Sequence, residues 1–311
     1  MKKKISLVTP TLNEKDNIEN FILKVKEEMS KLDYDYEHII IDNFSNDGTT
    51  EILKRIAKDD NKIKLIFNSR NFGSVRSPYY GLLQTSGDAA ILINADFQDP
   101  IDLIPKYIQK WKEGNDIVLN EKINSDENKF MFFVRKVFYS LISRISEVGL
   151  KKNITGSGIY DKKVIERFRT LNDPYPYLRG LIFELGFKIE TVKFKQPVRL
   201  KGESKHNFFS MYDIAMLGIV KHSKLPLRLM TIIGFLLSIL SLFVGLFYLF
   251  YKLFFWNTFS AGVAPLVIGL FLLGAVQVFL IGLLGEYISV ILSHSRNLPL
   301  VEERERINFD K

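Results

Sequence analysis

The 311-residue chain contains no cysteine and only four histidines. It therefore has no disulfide framework and no metal site built on cysteine ligands. Neither His206 nor His222 has a second histidine at the spacing of a metal-binding pair. We interpret both as surface residues.

Charge is missing from two long stretches, residues 229–251 and 253–285, which are rich in Leu, Ile, Val and Phe. Each stretch exceeds the roughly 20 residues that a helix needs to cross a bilayer, and these side chains favour insertion. We predict two transmembrane helices, at about 229–251 and 263–285. The alternative is a buried helical hairpin in a soluble protein.

Basic residues flank the two predicted helices, whereas the loop between them carries only Lys252. They are Lys221, Lys224 and Arg228 before the first helix, and Arg296, Arg304 and Arg306 after the second. The positive-inside rule predicts that both flanks are cytoplasmic, and these side chains would attract anionic membrane lipids. Despite the net charge of +8, no basic stripe interleaved with aromatic residues indicates nucleic-acid binding.

The N terminus lacks the apolar segment of a signal peptide, because only five residues separate Lys4 from Pro10. We therefore expect a cytosolic N-terminal domain in a multi-pass protein of the cytoplasmic (inner) membrane, with both termini in the cytosol. Because two spans make a thin anchor, we also expect a homo-oligomer, such as a tetramer.

Strand-like and helix-like segments alternate up to about Asn120. The apolar spacing predicts strands at 5–9, 38–41, 63–67, 90–93 and 116–119, and helices at 13–31, 49–58, 78–84 and 102–112. This alternation predicts an α/β fold with a mostly parallel, doubly wound sheet. Residues 130–145 suggest either an interfacial helix or a core helix, and residues 208–220 favour an interfacial helix.

The most informative segment is residues 89–100, in which a buried strand ends in acidic and amide side chains: Asn94, Asp96, Gln98 and Asp99. Ligands of open α/β sheets bind beyond the carboxyl ends of the strands. Carboxylate and amide oxygens suit Mg²⁺ or Mn²⁺ held against a diphosphate. Polar loops also follow the first three predicted strands, at 9–14, 42–48 and 68–73. Together they predict a nucleotide-diphosphate site, although a solvated polar turn remains possible for any one of them.

Eight short motifs are spread over nearly the whole chain. They are T-P-T-L-N-E at residue 9, I-D-N-F-S-N-D-G-T at 41, S-R-N-F-G at 69, N-A-D-F-Q-D-P at 94, Y-L-R-G-L at 177, R-L-K-G-E-S-K at 199, L-P-L-R at 225 and L-G-E-Y at 284. In order and spacing these motifs resemble those of the family-2 glycosyltransferases of the GT-A fold, and in particular the membrane-anchored polyprenyl-phosphate hexosyltransferases, which include dolichyl-phosphate mannose synthases and bactoprenol glucosyltransferases.

The resemblance implies roles for individual residues. The nucleotide-sugar site would contain Pro10, Leu12, Glu14, Asp42, Asn71, Asn94 and Asp96, with Asp42 on the base. The metal, Mg²⁺ or Mn²⁺, would be held by Asp96 with help from Gln98, and the catalytic residues would be Asp96 and Asp99. The acceptor side would contain Lys122, Arg135, Arg199, Ser204 and Lys205. Arg179 in Y-L-R-G-L would bind a diphosphate or pair with a carboxylate such as Glu184.

The sequence departs from the family pattern at three places. Asn94 stands where the first Asp of a D-x-D motif is usual, and Asn43-Phe44 replaces Asp-Gly in a D-D-G-S tract. Residues 155–161, T-G-S-G-I-Y-D, replace a G-D-F-R segment that would have supplied acceptor-side residues.

The resemblance implies an inverting, metal-dependent transfer of a hexose from a nucleotide-diphosphate sugar, with UDP-glucose as the first candidate, to a polyprenyl phosphate such as undecaprenyl phosphate, for cell-envelope glycan modification. A lipid-linked glycan hydroxyl is an alternative acceptor and would require a base, for which Asp99 is the candidate. A catalytically inactive sugar-nucleotide-binding protein is a second alternative. A processive polysaccharide synthase is disfavoured, because the chain lacks Q-x-x-R-W.

We therefore expect four regions. Residues 1–206 would form the cytoplasmic catalytic domain, and 207–226 a juxtamembrane amphipathic helix. Residues 227–292 would contain both transmembrane helices, and 293–311 would form a cytoplasmic tail.

Overall fold

The computed structural model describes residues 2–123, 153–171, 173–197, 213, 216–221, 223–255, 263–296 and 298–309. Its strands are β1 (Lys4–Thr11), β2 (Asp35–Asp42), β3 (Ile63–Asn68), β4 (Ala89–Leu92), β5 (Ile117–Lys122), β6 (Ile154–Asp161), β7 (Ile189–Phe194) and β8 (Glu303–Ile307). Its helices are α1 (Ile18–Ser30), α2 (Thr49–Asp59), α3 (Gly73–Leu83), α4 (Ile104–Lys112), α5 (Lys162–Arg169), α6 (Leu178–Glu184), α7 (Leu225–Phe254) and α8 (Val263–Ser295).

The eight strands form one sheet in the order β7-β5-β6-β4-β1-β2-β3-β8. The central pairs β4–β1, β1–β2 and β2–β3 are parallel, as is β5–β7. Strand β6 runs antiparallel between β4 and β5, and β8 pairs antiparallel with β3. The predicted α/β fold is therefore confirmed, and the parallel centre brings the ends of β1, β2, β3 and β4 to one edge.

Both faces of the central strands are covered by helices, which explains their continuous apolar runs. Helix α1 buries Ile18, Phe21, Ile22, Val25 and Met29, a stripe at helical spacing. This stripe and residues of α2 and α4 pack on the sheet face that carries Leu7 and Ile40. Residues of α3, α5 and α6 pack on the opposite face, around Val8.

The sheet continues beyond Asn120, where the sequence pattern predicted its end. Strand β6 is rich in small residues, and β8 (E-R-E-R-I) is mostly charged, so neither carries the apolar pattern of a buried strand. Residues 293–311 were expected to form a tail, yet Glu303–Ile307 is the edge strand of the sheet.

Helices α7 and α8 are long and apolar enough to cross a membrane, over Leu225–Val244 and Leu272–Ser295, and neither of these stretches is buried inside the protein. Large apolar side chains point outward along both, for example Phe235 (66% exposed) and Phe279 (71% exposed). A core hairpin of a soluble protein would bury such side chains. The predicted interfacial helix at 130–145 lies outside the described residues, as does most of the 208–220 segment.

Candidate active site

A cavity of about 770 Å³ opens at the edge of the sheet where the parallel strands end. Its lining comes from the loops that follow β1, β2, β3 and β4, from the end of β5, and from α3 and α6. The lining residues are Pro10, Thr11, Leu12, Glu14, Asn43, Asn71, Gly73, Ser74, Ser77, Pro78, Asn94, Ala95, Asp96, Gln98, Asp99, Lys122, Thr155, Arg179 and Gln196. This volume is in the range of pockets that hold small ligands and cofactors.

Hydrogen bonds join the loops after β1 and β2. The backbone N–H of Asn13 donates to Ser45 Oγ at 2.8 Å, and the N–H of Asn46 donates to Asn13 Oδ1 at 2.8 Å. Asn13 has a φ of 55°, a left-handed conformation that asparagine tolerates better than most residues. Glu14, which lines the cavity, accepts a bond from Asn17 Nδ2 at 2.7 Å. One wall of the cavity is therefore fixed by its own loops.

Asp42, the predicted partner of a nucleotide base, lies at the end of β2 and is buried (1% exposed). Its carboxylate accepts bonds from the Ser45 hydroxyl and from Thr50 Oγ1 at 2.8 Å. Burial raises the pKa of this carboxyl, while the hydrogen bonds from Ser45 and Thr50 act in the opposite direction. Asp42 lies behind the lining residues and supports Ser45, which holds Asn13.

Asn43, which departs from the usual aspartate, connects β2 to the loop after β3. Its Nδ2 donates to Asn71 Oδ1 at 2.8 Å, and its Oδ1 accepts from Asn68 Nδ2 at 2.9 Å and from the N–H of Phe72 at 2.8 Å. An aspartate here could not donate to Asn71. The amide therefore holds Asn71 in the cavity wall.

Asp96 and Gln98 lie in the turn after β4 and line the cavity. The N–H of Gln98 donates to Asp96 Oδ1 at 3.1 Å. Phe97, between them, has a φ of 59°, and its ring meets Phe21 of α1 edge-on with centroids 5.5 Å apart. The left-handed conformation costs conformational energy for a bulky residue such as Phe97, and the ring contact with Phe21 offsets that cost. This contact anchors the Asp96–Gln98 turn to the core.

Asp99 is a buried carboxylate (4% exposed) in the cavity wall, held by three neutral donors. It accepts bonds from Asn94 Nδ2 at 2.8 Å, from Ser157 Oγ at 2.7 Å and from Asn120 Nδ2 at 3.1 Å. These donors come from the end of β4, from β6 and from β5. A second aspartate at 94 would face Asp99 with its like charge, whereas the amide bonds to it.

The segment that replaces G-D-F-R is strand β6, in the middle of the sheet. Gly158 has a φ of 144°, and a Cβ on it would lie 2.0 Å from the carbonyl oxygen of Val118. Only glycine fits there. This close approach of β6 to β5 brings Ser157 to Asp99.

The residues of the Asp96 turn fit a cation held jointly by protein and ligand. Among the residues described, no group of three or more His, Cys, Asp or Glu side chains could hold a metal. Mg²⁺ usually binds through one or two carboxylates together with substrate phosphates. One carboxylate, Asp96, and the amide oxygen of Gln98 are the donor set expected for that arrangement.

Two cationic side chains join the acidic ones in the cavity wall. Lys122 lies at the end of β5, and Arg179 lies in the first turn of α6, where its Nε donates to the carbonyl of Thr155 at 3.2 Å. Of the two roles that the sequence allows for Arg179, its position in the cavity wall fits binding of a diphosphate. The predicted acceptor residues Arg135, Arg199, Ser204 and Lys205 lie outside the described residues.

Sequence reasoning did not find several lining residues. Ser74 and Ser77 belong to the first turns of α3, whereas the sequence pattern predicts a helix only from Pro78. Thr155 lies in β6 and Gln196 follows β7, two strands that the pattern does not predict. The S-R-N-F-G motif just before α3 was the available signal for the serines.

The mixed α/β sheet, with a carboxylate-bearing turn at its carboxyl edge, agrees with the GT-A fold that the sequence motifs imply. Among solved structures, mannosyl-3-phosphoglycerate synthase from Rubrobacter xylanophilus shares this fold, with a TM-score of 0.50 and 13% identity over 70% of this chain and 72% of that one. Glucosyl-3-phosphoglycerate synthase from Mycobacterium tuberculosis also has a TM-score of 0.50, with 18% identity over 70% and 78% of the two chains.

The family is shown by sequence. The profile of Glycosyl transferase family 2 matches residues 6–169, and the chain belongs to that family, as its motifs predicted. A bactoprenol glucosyl transferase of Shigella phage SfV is 32% identical over 297 residues, which are 95% of this chain and 96% of the relative. A prophage bactoprenol glucosyl transferase homolog of Escherichia coli K12 is 30% identical over 95% and 97% of the two chains. The protein is therefore a glycosyltransferase.

Proposed function

We propose that the protein transfers a hexose from a nucleotide-diphosphate sugar, with UDP-glucose as the first candidate, to a polyprenyl phosphate at the cytoplasmic face of a membrane. The observation that carries this proposal is the end-to-end similarity to relatives named bactoprenol glucosyl transferase. The Mycobacterium tuberculosis neighbour, described in complex with Mn²⁺ and UDP-glucose, supports the donor and the cation.

The cavity supports a donor site with a cation at the Asp96 turn. Asp96 and Gln98 would hold Mg²⁺ or Mn²⁺, which when bound neutralises charge on the leaving diphosphate. The segment that carries Pro10, Leu12 and Glu14 would border the nucleoside, together with Asn71. Lys122 and Arg179 would offer charge-assisted hydrogen bonds to phosphate oxygens.

Asp99 would stabilise the sugar as its bond to the diphosphate breaks. The anomeric carbon gains positive charge during that step, and a fixed, buried carboxylate is worth more there than in water. The acceptor oxygen attacks from the opposite face, forms the new bond to the anomeric carbon and inverts it, while the nucleotide diphosphate leaves with the old bonding pair.

The surroundings of Asp99 favour an acceptor that is already anionic. Three of the roughly four acceptor sites of its carboxylate are already occupied by bonds from Asn94, Ser157 and Asn120, so only about one is left for an attacking hydroxyl. A lipid phosphate needs no base, only cationic docking. This supports the polyprenyl phosphate over a glycan hydroxyl, with Arg135, Arg199, Ser204 and Lys205 retained as proposed docking residues.

The sheet itself supports a membrane hairpin. Strand β7 precedes α7 and β8 follows α8, yet both belong to the same sheet. The start of α7 and the end of α8 must therefore lie on one side of any membrane that the two helices cross. Together with the flanking basic residues, this supports a catalytic domain on the cytoplasmic side. Oligomerisation stays a prediction.

The direct test is transfer of radiolabelled glucose from UDP-glucose to undecaprenyl phosphate by the detergent-solubilised full chain, with Mg²⁺ or Mn²⁺. Asp96→Ala should abolish the labelled lipid, while Asp59→Ala, an exposed aspartate on α2, should leave it unchanged. Equal turnover by Asp96→Ala would refute its assignment. Binding of UDP-glucose without lipid product would shift the proposal to another acceptor, and no UDP-glucose binding would shift it to another donor.

A further inference from the structure

The C-terminal segment 298–309 packs along the outer edge of the sheet as more than a single strand. Besides the β3–β8 pairing, the N–H of Ser69 donates to the carbonyl of Glu302 at 2.9 Å, and Val301 is buried. Asn308 Nδ2 donates to the carbonyls of Ala57 at 2.7 Å and Ile63 at 2.9 Å. The segment is thus fixed to the catalytic domain along most of its length.

The same segment holds the outer side of α3. Arg76 Nε donates to the carbonyl of Leu300 at 2.7 Å, and Arg76 Nη2 donates to the carbonyl of Pro299 at 2.6 Å. One turn further on, the Tyr80 hydroxyl donates to Glu303 Oε1 at 2.8 Å. Burial and this bond raise the pKa of Tyr80 to about 12, so the tyrosine keeps its proton and remains a donor.

Other residues of the first turns of α3 line the cavity. Gly73, Ser74, Ser77 and Pro78 are lining residues, and Arg76 lies among them in the sequence. The guanidinium of Arg76 also lies 5.0 Å from the ring of Phe72, whose N–H bonds to Asn43. Arg76 therefore connects the C-terminal segment to the cavity wall without being a lining residue itself.

The connection to α8 is short. Only three residues, 296–298, separate Ser295 at the end of α8 from Pro299, a link that spans about 14 Å at most when fully extended. The carbonyls that Arg76 binds thus follow directly after the second apolar helix.

We infer that Arg76 is a positioning residue that, through the carbonyls of Pro299 and Leu300, holds the first turns of α3 in the shape that binds the donor nucleotide. The affinity for the donor nucleotide then depends on the C-terminal segment 298–309, which follows the second apolar helix. The inference rests on the proposed function, since it takes the cavity to be the donor site.

The structure offers a matched control in Arg169, at the other end of α3. Its Nε donates to the carbonyl of Leu83 at 2.9 Å, and its Nη2 donates to that of Thr85. Arg169→Ala thus removes the same kind of contact, an arginine bound to two carbonyls, far along the helix from the cavity. Any general weakening of α3 should affect both variants.

The test measures binding of uridine diphosphate with Mn²⁺ to the detergent-solubilised full chain by calorimetry. Losing the two charge-assisted bonds that tie α3 to the C-terminal segment should weaken binding about tenfold in Arg76→Ala, with turnover at saturating donor close to normal. Arg169→Ala should bind like the wild type, and Tyr80→Phe should show a smaller loss. Equal affinities in Arg76→Ala and Arg169→Ala would overturn the inference.

Hydrogen exchange of the nucleotide-free protein separates this inference from the proposed function. Arg76→Ala should exchange faster over residues 71–80 than the wild type, and Arg169→Ala should not. Unchanged exchange there would refute the positioning role even if nucleotide binds. Faster exchange in a protein that binds no uridine diphosphate would retain the role of Arg76 in holding α3 and reject the donor site.

Discussion

Two buried carboxylates lie at opposite edges of the same sheet, and their partners differ. Glu37, near the start of β2, accepts bonds from Lys64 Nζ at 2.8 Å, Lys4 Nζ at 3.0 Å and Ser6 Oγ at 2.6 Å. Asp99, beyond the end of β4, is bound by amides and a hydroxyl, and none of the residues described forms an ion pair with it.

The charge of Glu37 stabilises the fold, whereas the charge of Asp99 is available to a ligand in the cavity. Burial tends to raise the pKa of Glu37, but its hydrogen bonds, first among them that from Lys64, lower it to about 2. Its charge is compensated within the fold. The charge of Asp99 is oriented but not neutralised, so it can act on whatever enters the cavity. Neutralising each carboxylate in turn should therefore have opposite consequences.

The largest expected effect on turnover follows from Asp99→Asn. Removing the buried charge should reduce sugar transfer at least about a hundredfold, the scale of losing one preorganised electrostatic group. The new side-chain NH2 would face at least one of the three donors that now bond to Asp99, so we also expect a stability loss of about 1–3 kcal/mol, smaller than the loss expected at Glu37. Turnover and thermal denaturation of the full chain would be measured together. A variant that loses its fold, or keeps its turnover, would contradict the proposed role.

Glu37→Gln should show the reverse. It leaves Lys4 and Lys64 without their carboxylate, and breaking a buried pair typically costs about 3–5 kcal/mol. We expect a lower melting temperature, with turnover near that of the wild type at temperatures where the variant is folded. Asp35→Asn, which removes a half-exposed partner of Lys62, is the matched control and should have a minor effect. A loss of turnover in Glu37→Gln without a loss of stability would contradict the purely structural role assigned to Glu37.

Acid should destabilise the sheet at the Glu37 edge in two stages. Burial lowers the pKa of His38 from 6.5 to about 3, so the unfolded chain takes up this proton first and stability falls as the pH drops below 6.5. The decrease in the free energy of unfolding should reach about 2 kcal/mol by roughly pH 5. Glu37 adds a loss only between pH 4.5 and about 2. Thermal denaturation across this range would show it.

A His38→Gln variant tests the first stage. Glutamine can still bond to Thr9 Oγ1, the observed partner of His38 at 2.9 Å, but does not titrate. Its melting temperature should vary less between pH 6.5 and pH 5 than that of the wild type. An unchanged pH dependence would assign the acid sensitivity to other groups.

The smallest effect is expected from Asn94→Asp, which creates the first aspartate of a D-x-D motif. It replaces a 2.8 Å bond to Asp99 by repulsion between carboxylates, and should cost about 1–2 kcal/mol. Excess Mn²⁺ without nucleotide should recover part of that loss, because the added carboxylate strengthens the cation site. Asn94→Ser, which adds no charge, should not respond to Mn²⁺. Denaturation with and without Mn²⁺ distinguishes the two.

The sequence predicted those parts of the site that depend on local pattern. The apolar runs of β1 to β5 and the polar residues after them placed Glu14, Asn71, Asp96 and Asp99 at one edge of a sheet, and the structure brings them to one cavity. These positions depend only on where each strand ends and on the parallel direction of the strands. The apolar pattern of the sequence is therefore enough to predict them.

The remaining parts depend on neighbours that are distant in the chain. Asn43 bonds to Asn71 and Phe72 in the loop after β3, and Ser157 bonds to Asp99. Both contacts depend on which strands lie side by side in the sheet, and a local sequence pattern does not predict that. Strand β8 is charged because it lies at an edge, where charge protects against further pairing, and a charged segment does not predict a strand.

Strand β8 is the last part of the sheet to be synthesised. The ribosome makes β1 to β7 first, then the two apolar helices, and only then the residues that cover the open edge of β3. Until that moment β3 presents unpaired backbone groups to other chains. In the proposed membrane hairpin, the sheet would be completed only after the two helices had returned the chain to the side on which β1 to β7 folded, so pairing of β8 with β3 would require both helices to have inserted.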